Sequence, residues 1–289
     1  MNTTISTLSP EGRLWAHVAK LEQDHPPLEL AAVDYTVRDG AAVSARYGRV
    51  LDYMARAELE VERNVQELDV LLPDPPELDQ YFYRHVWGPQ ELHHGLILDQ
   101  LQAELGLDRS DTDVSAIPLK IRVLGGIAHV PAVQDVVRML YYLTGMTTER
   151  SALLAYQHLY DGLSEMGESA MAETIVAPIR RQEPGHFAYY QRSARGLWDQ
   201  LSPWQQWLTR RLRAASFAPV GANSPEQLAQ VGEMMQAFGI AEDVQVADFA
   251  GTVARLEAEL VGQAGGLGAP VYVVDAFRRC LAAAKVQAA

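Results

Sequence analysis

The sequence predicts an all-α protein in which four long helices form a bundle, with further helices at both ends of the chain. Apolar residues recur at every third or fourth position, the spacing of one helix face, through most of the 289 residues. The few β-branched runs, such as 271–274, are short and have no hairpin partner nearby. We therefore assign helices to the long periodic segments.

Three Ser-Pro pairs predict helix starts outside the long segments. Serine can cap the free backbone N–H groups, and proline at the first helical position lacks the N–H that would otherwise be unpaired. Ser9-Pro10 opens a predicted N-terminal helical extension, residues 1–40. Ser202-Pro203 and Ser224-Pro225 open shorter helices in residues 202–289, which we expect to pack on the bundle.

The bundle itself is predicted to span residues 41–201. Its first helix, about 41–72, carries an apolar stripe and is ended by the prolines at 73, 75 and 76. A second helix, bent near Gly88-Pro89, is predicted to follow. This second helix is assigned to about 77–105 and is followed by a long connection at 106–130. A third helix is predicted at about 131–166 and a fourth at about 168–201. After the bundle, a Gly- and Ala-rich loop is predicted at 262–270 and a last helix near 271–285.

Composition and charge restrict the classes of function. The formal net charge of −13 argues against a general binder of nucleic acid or anionic membranes. The N-terminal residues show no secretory signal, and no apolar run reaches the roughly 18–20 residues of a membrane span. A single cysteine, Cys280, excludes a disulfide framework and is expected to be a small buried hydrophobe. We expect a cytoplasmic protein.

Two Glu-x-x-His motifs occur on the predicted second and fourth helices, Glu91 to His94 and Glu183 to His186. Residues three apart share one helix face, so a carboxylate and an imidazole can converge on one metal ion. A single such motif is weak evidence because it arises often by chance. Two copies in a chain with eight histidines are stronger evidence.

The first and third helices each place a glutamate inside an apolar stripe, Glu58 and Glu149. Burying a carboxylate there is costly unless a positive group meets it. Glu58 precedes Glu91 by 33 residues and Glu149 precedes Glu183 by 34, so the chain contains two similar helix pairs. Four carboxylates and two imidazoles form the ligand set of a di-iron or di-manganese site in a ferritin-like bundle.

Several neighbouring residues offer alternatives to these ligands. Glu62, one turn after Glu58, is the alternate ligand on the first helix, whereas Glu60 is expected to be solvated. His93 is rotated away from His94 and is expected at the surface or between helices. Pro184 lies inside the second motif, which indicates either that the helix ends there or that it bulges at a metal site; the continuing apolar pattern favours the bulge.

Three short strings resemble those of the soluble acyl-(acyl-carrier-protein) desaturases, a family of the ferritin-like di-iron carboxylate superfamily. Gln90-Glu-Leu-His-His-Gly95 is similar to the family's Glu-Glu-x-x-His-Gly segment. Thr148-Glu149-Arg150 resembles its Gln-Glu-Arg segment, and Gln182-Glu183-Pro-Gly-His186 its Asp-Glu-x-x-His segment. The resemblance covers about residues 45–200, and the ligand pattern is specific to the superfamily rather than to desaturases alone.

The chain also departs from the family. Gln90 and Gln182 stand where the family usually has acids that orient the ligating histidines. Ala152 occupies the position of a family threonine thought to assist oxygen activation; Thr148 and Ser151 are close by but not in that register. The first helix lacks the family's string around its glutamate. These differences fit a divergent relative from specialised metabolism as well as a fatty-acid desaturase.

The resemblance implies activation of dioxygen at two iron ions, or manganese in their place, and oxidation of an unactivated C–H bond of an acyl or related substrate. An external electron donor would be required. In this scheme Glu91 and Glu183 are bridging or bidentate ligands, Glu58 and Glu149 are mainly terminal ligands, and His94 and His186 supply one imidazole to each ion. The alternatives are an N-oxygenase or other tailoring oxidase for a free small molecule and, with less support, a ferroxidase.

The substrate and its partners are weakly determined by sequence. A carrier protein is acidic and would need a basic patch. Arg180 with Arg181, or Arg210 and Arg211 with Arg213, are candidates for such a patch, although all five also fit ordinary solvated helix positions. Tyr142 and Tyr156 flank Glu149 on one predicted face, either as core aromatics or as residues that line a channel or exchange electrons with the metals. A homodimer is compatible with each function except an iron-storage cage.

Overall fold

The computed structural model describes residues 9–72, 74–110, 112, 117, 119–222, 224–262 and 268–287, and every regular element in these ranges is helical. The all-α prediction is confirmed. The α-helices are α1 (Pro10–Asp24), α2 (Gly40–Leu59), α3 (Val61–Leu71), α4 (Glu77–Tyr81), α5 (Gly88–Glu104), α6 (Leu119–Ala128), α7 (Pro131–Glu165), α8 (Ser169–Met171), α9 (Ala177–Trp198), α10 (Pro203–Ser216), α11 (Pro225–Ala237), α12 (Asp243–Val261) and α13 (Val271–Gln287).

Short irregular segments join some of these helices. A π segment, Phe82–Trp87, joins α4 to α5, and a second, Ala172–Val176, joins α8 to α9. Each makes one continuous rod that matches a long helix of the predicted bundle, and the first π segment lies directly before the expected bend at Gly88-Pro89. A 3-10 turn, Leu30–Ala32, lies between α1 and α2. Within the described ranges, no helix has the length and hydrophobicity that crossing a bilayer requires.

All three predicted Ser-Pro helix starts are confirmed. The side chains of Ser9 and Ser224 accept hydrogen bonds from backbone N–H groups of the first turn, at 3.0 and 3.2 Å. Ser202 forms a capping box with Gln205. The helices that these serines begin are α1, α10 and α11, as the sequence indicated.

The predicted first bundle helix is in fact two helices, because the chain turns at Glu60 between α2 and α3. Glu60 is buried, and its carboxylate accepts a hydrogen bond from Arg63. The prediction that Glu60 is solvated was therefore wrong: the local pairing with Arg63 compensates its burial. Pro73, one of the prolines expected to end this helix, lies outside the described residues.

The segment 106–130, predicted to be a connection, contains the helix α6. Its glycines suggested a break in the helix. A side chain at Gly125, however, would overlap the backbone carbonyl of Val70 on α3. Glycine here permits close packing of α6 on α3, which a single sequence cannot distinguish from a helix break. Residues 111, 113–116 and 118 of this segment lie outside the described part of the chain.

Four rods pack as two extensive antiparallel pairs, α2 with α5 and α7 with α9. The direction of each pair follows from two contacts at different points along the helices. These contacts are Leu59 with Gly95 and Leu105 with Gly40 in the first pair, and Tyr190 with Gly145 and Tyr160 with Glu173 in the second. The end of α2 therefore lies beside the middle of α5, the start of α2 beside the end of α5, and the middle of α7 beside the middle of α9.

The C-terminal helices pack on these rods: α10 and α12 contact α7, and α11 contacts α2 and α13. A buried ion pair joins three of the helices, because Arg213 on α10 binds Glu257 on α12 at 2.8 Å and Thr147 on α7 at 2.9 Å. Arg213 is 3% exposed. Both interpretations of Arg213, a docking patch and an ordinary solvated position, were therefore wrong, since its charge is used inside the protein. Cys280 is fully buried, as expected.

Candidate metal centre

The six side chains predicted as ligands lie together in the interior. Their ligand atoms form two groups, and within each group all atoms lie within 4.8 Å of one another. Two residues, Glu91 and Glu183, belong to both groups. The first group is completed by Glu58 and His94, and the second by Glu149 and His186. Each group combines residues from both antiparallel helix pairs, so the geometry depends on the tertiary fold.

The structure separates the alternative residues from this cluster. Glu62 is exposed and belongs to neither group, whereas Glu58 is partly buried and lies in the first. The structure therefore favours Glu58 over Glu62. The ring of His93 faces away, with Nδ1 2.6 Å from the backbone carbonyl of Leu28, which agrees with the predicted position between elements.

The helix α9 continues through Pro184 with regular α geometry. The predicted bulge at this proline is wrong; the π segment lies upstream, at Ala172–Val176. The alternative, a helix that ends at Pro184, is also wrong. Beside the proline, Gly185 leaves room for Leu21 of α1, and its carbonyl lies 3.0 Å from Nε2 of His17. Pro184 removes one backbone hydrogen bond of α9, and α1 packs against the helix at the same place.

The two central carboxylates each face both histidines. Glu91 places Oε2 3.5 Å from Nδ1 of His94 and Oε1 2.8 Å from Nδ1 of His186. Glu183 places Oε1 3.4 Å from Nδ1 of His94 and Oε2 3.6 Å from Nδ1 of His186. Each carboxylate therefore offers a different oxygen to each histidine, as a bridge between two ions would.

Two buried glutamines hold the far side of the histidine rings. Nε2 of His94 lies 2.6 Å from Oε1 of Gln182, and Nε2 of His186 lies 2.5 Å from Oε1 of Gln90. An amide oxygen can only accept, so each Nε2 carries a proton and donates it, and Nδ1 is the ring nitrogen that faces the carboxylates. The sequence marked both glutamines as departures from acids, but it did not indicate that each binds the histidine of the other helix pair.

The outer carboxylates are held by aromatic donors. Tyr156 donates to Oε1 of Glu58 at 2.6 Å, and Trp87 Nε1 donates to Oε1 of Glu149 at 3.1 Å. Tyr156 is thus more than a core aromatic. Sequence reasoning missed Trp87, although it lies one helical turn before Glu91. Tyr142, predicted beside Glu149, instead donates to the buried Asp79 at 2.5 Å.

Burial and mutual repulsion perturb the titration of the cluster. Burial is the main reason that the pKa values of Glu58 and Glu183 lie well above the ordinary range. The charge of Glu91 raises both further. Burial would also raise the pKa of Glu91, but the hydrogen bond from Glu58 and the charge of His186 hold it well below that range. Burial would lower the pKa of His186, but Glu91 and its neighbours raise it. The cluster therefore attracts positive charge.

The donor atoms at the centre lack hydrogen-bond partners within the described structure. Glu91 Oε1, both carboxylate oxygens of Glu183 and Nδ1 of both histidines are buried and unpaired. Buried polar atoms usually find partners, so a convergent unpaired set fits the binding of a cation. Four carboxylates would neutralise two divalent ions. Oxygen and imidazole donors without thiolate suit iron or manganese.

One cavity opens onto the cluster from the side of the outer carboxylates. Its volume is about 90 Å³, several times the roughly 10–15 Å³ that one water needs. Its walls are mainly small or apolar side chains of α2 and α7, covered by Val220 and by Met234 of α11. The residues that line it are Tyr53, Met54, Ala57, Glu58, Val61, Asn64, Trp87, Glu91, Thr148, Glu149, Ser151, Ala152, Ala155, Tyr156, Val220 and Met234.

Comparison with known protein families, characterised proteins and solved structures found no match for this chain.

Proposed function

We propose that this protein is an oxygen-dependent oxidoreductase with two iron ions, or manganese in their place, in a ferritin-like bundle. One observation carries the proposal: Glu91 and Glu183 each turn one oxygen to His94 and the other to His186. The arrangement of the rods supports the bundle assignment, because each antiparallel pair contributes a glutamate and a Glu-x-x-His motif.

The donor set would divide between two ions. Glu58 and His94 would hold one ion, Glu149 and His186 the other, and the two central carboxylates would bridge them. When bound, a ferrous pair supplies reductive activation of dioxygen, with electrons from an external donor. The chain's own part is to fix these ligands: Tyr156 and Trp87 position the outer carboxylates, and the apolar cavity walls exclude bulk water from the reacting groups.

The cavity supports oxidation of an apolar part of a substrate. Its walls next to the outer carboxylates include Ala57, Ala152 and Ala155, which offer no charge to a bound molecule. A C–H bond of an acyl or related chain would therefore lie beside the metal pair. Thr148 and Ser151 also line this space, so a hydroxyl is present there although Ala152 is not a threonine.

A tailoring oxidase for a free small molecule is the second candidate. The cavity, about 90 Å³, favours a compact substrate over a long chain. The burial of Arg213 also removes one arginine from the basic surface that an acidic carrier protein would need. A ferroxidase has less support because it needs no apolar cavity. Turnover of carrier-bound but not of free acyl chains would eliminate the tailoring oxidase.

Metal analysis of the parent protein and two variants tests the proposal. After anaerobic loading with Fe²⁺, we expect about two ions per chain in the parent protein, the number that the paired ligand groups predict. Glu183→Gln removes a bridging carboxylate and is expected to show a clear deficit. Glu62→Gln changes an exposed carboxylate of α3 and is expected to match the parent. The loaded parent should also consume dioxygen when a reductant is supplied. Equal iron content in the parent and Glu183→Gln would overturn the proposal.

A further inference from the structure

The segment between α1 and α2, residues 25–39, crosses the histidine end of the cluster; we call it the N-terminal strap. We infer that Gln90 and Gln182 are positioning residues that tie this strap to the two histidines through hydrogen bonds in both directions. The metal part of this inference rests on the proposed function, whereas the strap part does not.

Each glutamine uses both ends of its amide. Its oxygen accepts from the Nε2–H of the histidine, as described above. Its nitrogen donates to the strap: Gln90 to the carbonyl of His25, and Gln182 to the carbonyl of Pro26, the latter at 2.9 Å. The two glutamines are 1% and 2% exposed, so both amides are removed from water. Two neighbouring carbonyls of the strap thus connect to two histidines on different helices.

This arrangement explains why amides occupy these positions. An ionised carboxylate could accept from the histidine but could not donate to a backbone carbonyl. It would place a negative charge against that carbonyl and leave it without its partner, which costs free energy in a buried site. An amide satisfies both neighbours and adds no charge to a cluster that already holds four carboxylates.

The strap makes further contacts with the helices. The carbonyl of Leu28 lies 2.6 Å from Nδ1 of His93. Further along, Asp34 binds Thr174, and the backbone N–H of Asp39 donates to Glu168 at 2.8 Å. The cavity described above is lined by three of the cluster's carboxylates and, within the described structure, by neither of its histidines. The cavity therefore meets the cluster on the side of the carboxylates, and the strap contacts it on the side of the histidines.

Three methionine substitutions test the inference. Gln90→Met and Gln182→Met keep a similar volume but remove the donor and the acceptor. Gln102→Met is the matched control, because Gln102 is equally buried on α5 but binds Ser110 instead of a histidine. Two quantities are measured: amide hydrogen exchange of residues 25–39 in the metal-free protein, and the affinity for Co²⁺ by absorption titration.

We expect both test variants to exchange the strap amides about three- to tenfold faster than the parent, as the loss of one hydrogen bond predicts. Co²⁺ affinity should fall about 10–100-fold, the usual effect of removing the partner of a ligating histidine. The control should leave both quantities unchanged. Gln182→Glu, which again offers an acceptor to His94, should restore Co²⁺ affinity toward that of the parent.

The outcomes separate the two parts of the inference. Strap exchange in Gln90→Met and Gln182→Met that equals the parent's would refute the coupling to the strap. Unchanged Co²⁺ affinity in both, or failure of Gln182→Glu to restore it, would refute the positioning of the histidines. If the parent itself bound no Co²⁺, the proposed function would fail, and the exchange measurement would still decide whether the glutamines hold the strap.

Discussion

Replacing Glu183 by glutamine should change how the stability of the metal-free protein depends on pH. Glu183 is 1% exposed, and burial together with the charge of Glu91 raises its pKa well above the ordinary range. In the unfolded chain the same carboxyl ionises near pH 4.3, about its ordinary pKa. Between these two pKa values, the folded protein keeps a proton that the unfolded chain has released.

A difference of one bound proton lowers the free energy of unfolding by about 1.4 kcal/mol for each unit of rising pH. The stabilising contribution of Glu183 is thus fully present below about pH 4.3 and is lost as the pH rises through its folded pKa. Glutamine has no such proton. Between pH 4.3 and the folded pKa, the free energy of unfolding of Glu183→Gln should therefore rise relative to the parent's by about 1.4 kcal/mol per pH unit. Glu91, whose pKa is lowered, loses its contribution only at lower pH.

Urea denaturation of chelator-treated protein, followed by circular dichroism between pH 4 and 8, measures this difference. Glu62→Gln, an exposed carboxylate outside the cluster, is the control and should parallel the parent. Adding Mn²⁺ at a hundred times its dissociation constant should stabilise the parent by about 2.7 kcal/mol and Glu183→Gln by less. A stability difference between the parent and Glu183→Gln that stays constant over the whole range would refute the reasoning.

Three further predictions concern the packing, the ion pair and the cavity. Gly145→Ala should cost about 1–3 kcal/mol in urea denaturation, because the methyl group would overlap the ring of Tyr190. The control Gly196→Ala, with open space around it, should instead stabilise the protein by up to about 1 kcal/mol. Equal effects of the two substitutions would contradict this account. Glu257→Ala should cost about 3–5 kcal/mol, because it leaves Arg213 buried without its carboxylate partner. Adding Arg213→Met to this variant should recover most of the loss. A cost below about 1 kcal/mol would contradict the role of the pair. Ala152→Phe should fill the cavity and abolish substrate oxidation while iron content stays at the parent's level; full activity would remove the cavity from the proposed function.

The candidate ligands could be predicted because their signal is local. The spacing of three residues in each Glu-x-x-His motif and the repeat of 33 and 34 residues follow from helix geometry alone. The long helices followed from apolar periodicity in the same way. The turn at Glu60 was missed although its partner, Arg63, lies only three residues away, because the apolar stripe continues across the turn. The helix α6 was missed because the glycine that it needs depends on a tertiary neighbour, Val70.

The partners of the ligands could not be predicted, because they come from distant parts of the chain. Trp87 reaches Glu149 across 62 residues, and His94 reaches Gln182 across 88. Only one local signal was available: a glutamine precedes the glutamate of both Glu-x-x-His motifs. That repetition identifies the two amides, but the crosswise pairing and the contacts with the strap require the fold.

Anomalous diffraction from crystals loaded with Fe²⁺, recorded at the iron absorption edge, tests the central claim most directly. We expect two peaks about 3.5–4 Å apart, the usual separation in two-metal sites, flanked by Glu91 and Glu183. Each peak should also lie within ligand distance of Nδ1 of one histidine, His94 or His186. A single peak, or no peak between these two carboxylates, would contradict a shared two-metal centre.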